Sequence, residues 1–139
     1  MASTDTRSNV TDRFLDAIRN ARVHVVDDLY SPDADLDATV PNWRFTVSGG
    51  ECIRAEYGRW FNEPCDITEL VRHSTTTGEV IEYSITWDEG GVLYGGHHVH
   101  VLTIDESADL ITHDRVWCGG RWPESLMADM DVARVDAQG

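Results

Sequence analysis

Three of the six histidines fall within four residues, in the run Gly95-Gly96-His97-His98-Val99-His100-Val101-Leu102-Thr103. The run is rich in β-branched residues and reads as a strand, on which successive side chains point to opposite faces. His98 and His100 therefore share a face with Leu102 and Ile104, and His97, Val99, Val101 and Thr103 line the other. Two imidazoles among apolar neighbours need hydrogen-bond partners or a ligand, because an unpaired buried polar group is costly. An imidazole titrates near neutral pH and serves as either proton acceptor or donor, so His98 and His100 are candidate catalytic residues. Neighbouring imidazoles also depress each other's protonation, which favours a neutral base. The plainer alternatives are a pair of core histidines, or a strand whose histidine face is the outer one.

Further groups could take part. Asp37 could activate water or remove a proton if apolar walls raised its pKa, and is the candidate partner of the histidines; a solvated strand carboxylate is the ordinary alternative for it and for Asp114. A metal would need a third ligand, such as His24, His113 or a carboxylate, and no spacing signature supports one, so no metal and no cofactor are expected. Arg115, flanked by His113 and Trp117, could present its guanidinium to a carbonyl or anion on a ligand, or pair with Asp114 or Glu82. Cys52, Cys65 and Cys118 match no metal-ligand spacing and read as free thiols, Cys118 as buried and inert.

The elements that must position these groups follow from periodicity. Val10, Phe14, Ala17, Ile18 and Ala21 form a helical stripe, and Val25, Val26 and Leu29 start a second short helix ending at Tyr30. Ser31-Pro32-Asp33 is a turn signal. A strand pair follows, Asp35 to Val40 and Trp43 to Val47, joined at Pro41-Asn42. Gly49-Gly50 opens a third helix carrying Ile53, Tyr57, Trp60 and Phe61 on one side, closed by Pro64. The remainder is strand-rich: Ile67 to Thr75, Val80 to Trp87, then the hairpin signal Asp88-Glu89-Gly90-Gly91, Val92 to Ile104, a turn over Asp105 to Asp109, and Leu110 to Cys118. Residues 1–9 are expected to be disordered, 10–122 to form the domain, and 123–139 to be a tail, loose and acidic from Asp131. Helices first and antiparallel strands afterwards is an α+β order, and glycines such as Gly95-Gly96 are where a sheet could bend around a central pocket. Trp43, Trp87, Trp117 and Tyr83 are the expected walls of that cavity, or simply the core.

Composition bounds the partners. The 139 residues carry 25 acidic and 11 basic side chains, a formal net charge of −14, and every basic residue is arginine. Nucleic acid is an unfavourable partner for such a surface, and lysine chemistry is excluded. The arginine bias fits a GC-rich bacterial source, with salt adaptation as a competing account of the acidity. No apolar run approaches the roughly 20 residues of a membrane span, and Met1 to Asn9 lacks an apolar signal segment, so a cytoplasmic location is expected.

In this order the chain resembles the NTF2-like superfamily, in particular its SnoaL-like and steroid-isomerase-like branch. The resembling pieces are Phe14-Leu15-Asp16-Ala17-Ile18, Leu29-Tyr30-Ser31-Pro32-Asp33-Ala34-Asp35-Leu36, Gly49-Gly50-Glu51-Cys52-Ile53-Arg54 with Tyr57 and Trp60-Phe61, and Leu110-Ile111-Thr112-His113-Asp114-Arg115-Val116-Trp117. The resemblance implies a cone-shaped barrel, three N-terminal helices packed on a strongly curved antiparallel sheet, with an apolar pocket and dimerisation through the outer sheet face. It does not carry the family's catalytic groups over. Phe14 stands where a steroid isomerase has an oxyanion-binding tyrosine, Ala38 where its base carboxylate follows the first strand, and His100 near its second oxyanion donor. Gly119 replaces the late acid of the SnoaL-like cyclases, and His98-Val99-His100 lies about where the related epoxide hydrolases carry an Arg-x-Asp pair. The implied function is binding of an apolar, oxygenated small molecule (polyketide-, terpenoid- or steroid-like). His98, His100 and Asp37 would run cofactor-free cyclisation, isomerisation or epoxide opening, and Phe14, Trp43, Tyr83, Trp87, Arg115 and Trp117 would contact the substrate. The alternative is a non-catalytic dimerisation or ligand- and partner-binding module.

Overall fold

A computed structural model describes residues 9–138. The segment expected to be disordered lies outside the described residues, apart from Asn9. Helix α1 spans Val10–Arg19 and buries Val10, Phe14, Leu15, Ala17 and Ile18. Asn9 caps it: the Asp12 amide donates to Asn9 Oδ1 at 2.9 Å, and the Asn9 amide donates to the Asp12 carboxylate at 3.3 Å. The first helical N–H, of Val10, donates to Asp109 Oδ1 at 3.0 Å, and Arg13 Nη1 reaches Asp109 Oδ2 at 2.7 Å. The turn over Asp105 to Asp109 thus fastens the helix entry.

The second short helix expected over Val25–Leu29 does not form. Ala21 adopts a left-handed φ of 56° that ends the helical path, and the segment to Leu29 consists of turns with Val23 and Leu29 buried. Val25 is half exposed, so the three apolar residues make no single stripe. Tyr30 opens a strand instead of closing a helix. The described strands and remaining helices are β1 (Tyr30–Val40), β2 (Trp43–Ser48), α2 (Gly50–Trp60), β3 (Asp66–Ser74), β4 (Gly78–Glu89), β5 (Val92–Asp105), β6 (Leu110–Cys118), β7 (Trp122–Pro123) and α3 (Glu124–Gln138). Of the three helices expected near the N-terminus, the first and third form as α1 and α2, with α2 following the β1–β2 pair. The segment 123–139, expected to be a tail, instead carries the helix α3.

The strands form one curved, unclosed sheet in the order β2-β1-β6-β5-β4-β3, with β7 pairing β5. All pairings are antiparallel except β1 with β6, which run parallel. The core lies where α1 and α2 cover the inner sheet face: Phe14, Ile18, Ile53 and Tyr57 meet Leu36, Ala38, Ile81, Tyr83, Leu102, Ile111 and Val116. In β6 the register with β5 shifts between His113 and Ile111. This bulge places Ile111 and Asp114, three residues apart, both on the buried side. Gly95 and Gly96 make room for neighbours: a Cβ on Gly95 would lie 2.5 Å from Met127 Sδ of α3, and one on Gly96 3.1 Å from the Gly120 carbonyl oxygen.

The closest backbone approach is at Gly78, where β4 begins. A Cβ there would sit 1.9 Å from the Leu102 carbonyl oxygen, an atom that cannot move without shifting β5. Gly78→Ala is expected to lower unfolding free energy by about 2–3 kcal/mol, as overpacking against fixed structure does. Urea unfolding checks this, and a midpoint equal to the parent's would refute it.

Candidate functional site

The inner face of β4, β5 and β6 carries a buried polar cluster centred on Asp114. Its Oδ2 accepts hydrogen bonds from the hydroxyls of Tyr30 and Tyr57, each at 2.8 Å. Its Oδ1 lies 3.0 Å from His100 Nδ1, and His100 Nε2 lies 2.9 Å from the Tyr83 hydroxyl. Asp114, His100, Tyr57 and Tyr83 are fully buried and Tyr30 almost so. Five elements supply them: Tyr30 begins β1, Tyr57 lies on α2, Tyr83 on β4 and His100 on β5, while the β6 bulge turns Asp114 inward.

One distribution of protons satisfies every atom. With Asp114 ionised, Tyr30, Tyr57 and His100 Nδ1–H all donate to it, leaving His100 Nε2 bare to accept the Tyr83 O–H. A protonated imidazole would donate at both nitrogens and leave the Tyr83 proton with no acceptor. Burial, reinforced by the Asp114 charge, raises all three phenols well above their ordinary pKa, so they stay donors. Phe14 closes the cluster, its ring edge-on to His100 at 5.2 Å and 90°. It is a wall of this polar core and lines no cavity described here.

His98 shares the inner face with His100, as its alternation with Leu102 implies, but stands in a different environment. Its ring stacks on Tyr83 (5.4 Å between centroids, 19° between planes) and meets Phe61 at 5.4 Å. It is 4% exposed, and its Nδ1 is buried with no hydrogen-bond partner. Burial, followed by the neighbouring His100 and His97, pushes its pKa down to about 3, so it is neutral under physiological conditions. His98 faces a cavity of about 360 Å³ lined by Pro41, Arg59, Trp60, Ile85, Trp87, Cys118, Gly120 and Arg121. Burial raises the Cys118 thiol above its ordinary pKa, which keeps it un-ionised. A larger hollow of about 490 Å³ lies between α1 and β3 and is walled by Arg13, Arg19, Arg22 and Arg72 with Asp12 and Asp16. None of the expected site residues lines it.

The other expected site residues divide by sheet face. Trp87 lines the His98 cavity and Tyr83 stacks behind it. Asp37, Arg115, Trp117 and Trp43 do not join them. Leu36 and Ala38 are the buried residues of that stretch of β1, so Asp37 between them points to the outer face. There Arg44 holds it with two hydrogen bonds, at 3.0 and 2.7 Å, and that contact lowers the Asp37 pKa. Arg115 stacks over the Trp117 ring at 5.2 Å, with both side chains outward, and Trp43 is 67% exposed. Among the described residues no three His, Cys, Asp or Glu side chains are grouped to hold a metal. Tyr30, Tyr57 and Asp114 were not among the expected site residues. The inward parity of Asp114 with Val116 was the available signal for one of them.

Because Asp114 carries a negative charge with three donors and no cation beside it, amputating its acceptors leaves buried groups unpaired. Asp114→Leu is expected to cost about 3–5 kcal/mol and Tyr30→Phe about 1 kcal/mol, measured by chemical denaturation. Equal losses for the two would contradict a carboxylate-centred cluster.

No protein-family model matches the sequence, and no curated protein matches it. Solved structures do. A candidate isomerase from Bacillus subtilis superposes with a TM-score of 0.63 at 12% identity, over 79% of this chain and 84% of that one. A hypothetical protein with a ketosteroid-isomerase-like fold from Catenulispora acidiphila, crystallised with trimethylamine, gives a TM-score of 0.62 at 15% identity, over 84% and 88%. A candidate polyketide cyclase from Xanthomonas campestris gives 0.59 at 15% identity, over 78% and 86%. At these identities what is shared is architecture. The seven-stranded curved sheet with α1 and α2 across its inner face is the NTF2-like, ketosteroid-isomerase-like fold.

Proposed function

We propose that the protein binds a small, apolar, oxygen-bearing molecule in the cavity at His98. The observation that carries this reading is a neutral imidazole in the wall of a cavity otherwise lined mainly by apolar and aromatic side chains. Such an imidazole can exchange a hydrogen bond with a ligand hydroxyl or carbonyl, which apolar walls alone cannot offer. Trp60, Trp87, Ile85 and Pro41 supply the apolar, flat-sided walls, and a volume of about 360 Å³ suits a molecule of two or three fused rings.

The chemistry open to such a site is cofactor-free. A neutral imidazole can hydrogen-bond a carbonyl or epoxide oxygen and stabilise the charge that develops there during isomerisation, cyclisation or ring opening. With a pKa near 3 it is a weak base, so His98 polarises a substrate and does not strip a carbon-bound proton. His100 and Asp114 act behind it as the frame that fixes Tyr83, on which His98 stacks. A second reading, binding without turnover, is favoured by one observation: the described residues lining the cavity include no carboxylate. The outer sheet face, with Trp43 and Trp117 exposed, is the proposed homodimer contact in either case.

Three outcomes follow. A naphthol is expected to bind about tenfold more tightly than naphthalene, by equilibrium dialysis, and His98→Leu to abolish the difference while naphthalene still binds. Equal affinities in the parent protein would remove His98 from ligand recognition. The depressed His98 pKa also gives stability a pH signature. The unfolded imidazole takes a proton below about 6.5 and the folded one only near 3, so stability falls as pH drops through that window, by on the order of 5 kcal/mol in full. Unfolding of His98→Phe should lack that portion of the acid slope, and parallel curves would contradict a buried neutral imidazole. Sedimentation should show a dimer that Trp117→Glu dissociates; a parent monomer at micromolar concentration rules the contact out.

A further inference from the structure

The mouth of the His98 cavity is built from two similar clusters. On α2, Glu56 accepts a hydrogen bond from the Trp60 indole N–H at 3.0 Å and an ion pair from Arg59 Nη2. At the far end of β4, Glu89 accepts from the Trp87 indole N–H at 3.3 Å and pairs with Arg121 Nη2. Each carboxylate therefore joins a cavity-lining tryptophan to a cavity-lining arginine. Arg121 is held further by its guanidinium lying 4.2 Å above the Tyr94 ring. The carboxylates themselves do not line the cavity, whereas both arginines do.

A guanidinium has five N–H donors. Glu56 takes one from Arg59 and Glu89 one from Arg121, so each has N–H groups left to turn toward a ligand. Their side chains are 71% and 52% exposed, which sets them at the rim and not in the depth. In a chain with 25 acidic residues, the charged groups that line this cavity are two arginines, each balanced by a carboxylate set back from the lining, so the surface a ligand meets presents N–H donors and no acid. The inner end is different. Beyond His98 and Tyr83 lies the Asp114 carboxylate with no cation beside it, so an anionic group pushed inward would meet repulsion.

From this arrangement we infer that the ligand is a flat apolar acid bound in one orientation: its hydroxyl or carbonyl end meets His98, its rings lie between Trp60 and Trp87, and its carboxylate rests at the mouth on Arg59 and Arg121. The inference rests on the reading of the cavity as a small-molecule site and specifies the class that fills it. Charge-assisted bonds to a guanidinium are stronger than neutral ones, and at an exposed rim they weaken with salt.

The test compares a hydroxynaphthoic acid, whose carboxylate and hydroxyl sit at opposite ends of the ring pair, with the corresponding naphthol. Both are measured by dialysis against the intact protein at neutral pH. The acid should bind about tenfold more tightly at low salt, and the advantage should shrink at several hundred millimolar salt. Arg59→Gln and Arg121→Gln should each reduce the advantage of acid over naphthol, measured within the same variant, at least about threefold, and the double variant should erase it. A cooperative urea transition in each variant verifies that it is folded. An acid that binds no better than the naphthol in the parent protein overturns the inference, as does an advantage that survives the double substitution. Either result leaves the His98-dependent preference for naphthol over naphthalene intact, so failure here is distinguishable from failure of the site itself.

Discussion

A single buried carboxylate organises this molecule. Asp114 is taken fully out of water with no ion pair to an arginine among the described residues, and it remains tolerable because three hydrogen bonds converge on its two oxygens. Each donor comes from a separate element. The requirement that Tyr30, Tyr57 and His100 reach one point fixes the start of β1, the rotation of α2 and the facing of β5 together. An apolar residue at 114 would ask for shape complementarity alone, which several packings can meet; a charge asks for direction.

The cluster also divides labour between two histidines that the chain places two residues apart. His100 is enclosed with both nitrogens occupied, whereas His98 lines a cavity and its Nδ1 is buried without a partner. Tyr83 is common to both, bonding one ring and stacking on the other. His98 is therefore held by a neighbour that is itself tied to the carboxylate, and its orientation depends on groups that a ligand would not touch.

Much of this was legible in the chain, and the exceptions have physical causes. The inward facing of His98 and His100 followed from alternation with Leu102, and the stripes of α1 and α2 followed from helical period. The outward facing of Asp37 was equally available, since Leu36 and Ala38 beside it are apolar, but the expected role of a pocket carboxylate outweighed parity. The size and aromaticity of Trp43 and Trp117 suggest cavity walls, yet both lie outside, one of them beneath a stacked arginine. The meeting of Tyr30 and Tyr57 with Asp114 was not legible. It depends on a parallel pairing between strands 84 residues apart at Tyr30 and Asp114, and on a bulge that nothing in the local pattern announces. Local rules govern elements, and the cluster is made by topology.

The parallel contact between β1 and β6 bears on how the chain assembles. Its N-terminal hairpin has one sheet neighbour to lean on, and that neighbour is nearly the last strand to emerge. Closing so long a loop is entropically slow, and until it closes two tyrosines and an aspartate remain in water, separately hydrated. The lining of the His98 cavity shares this dependence, because Pro41 at the end of the hairpin and Cys118 at the end of β6 reach the same hollow from segments far apart along the chain.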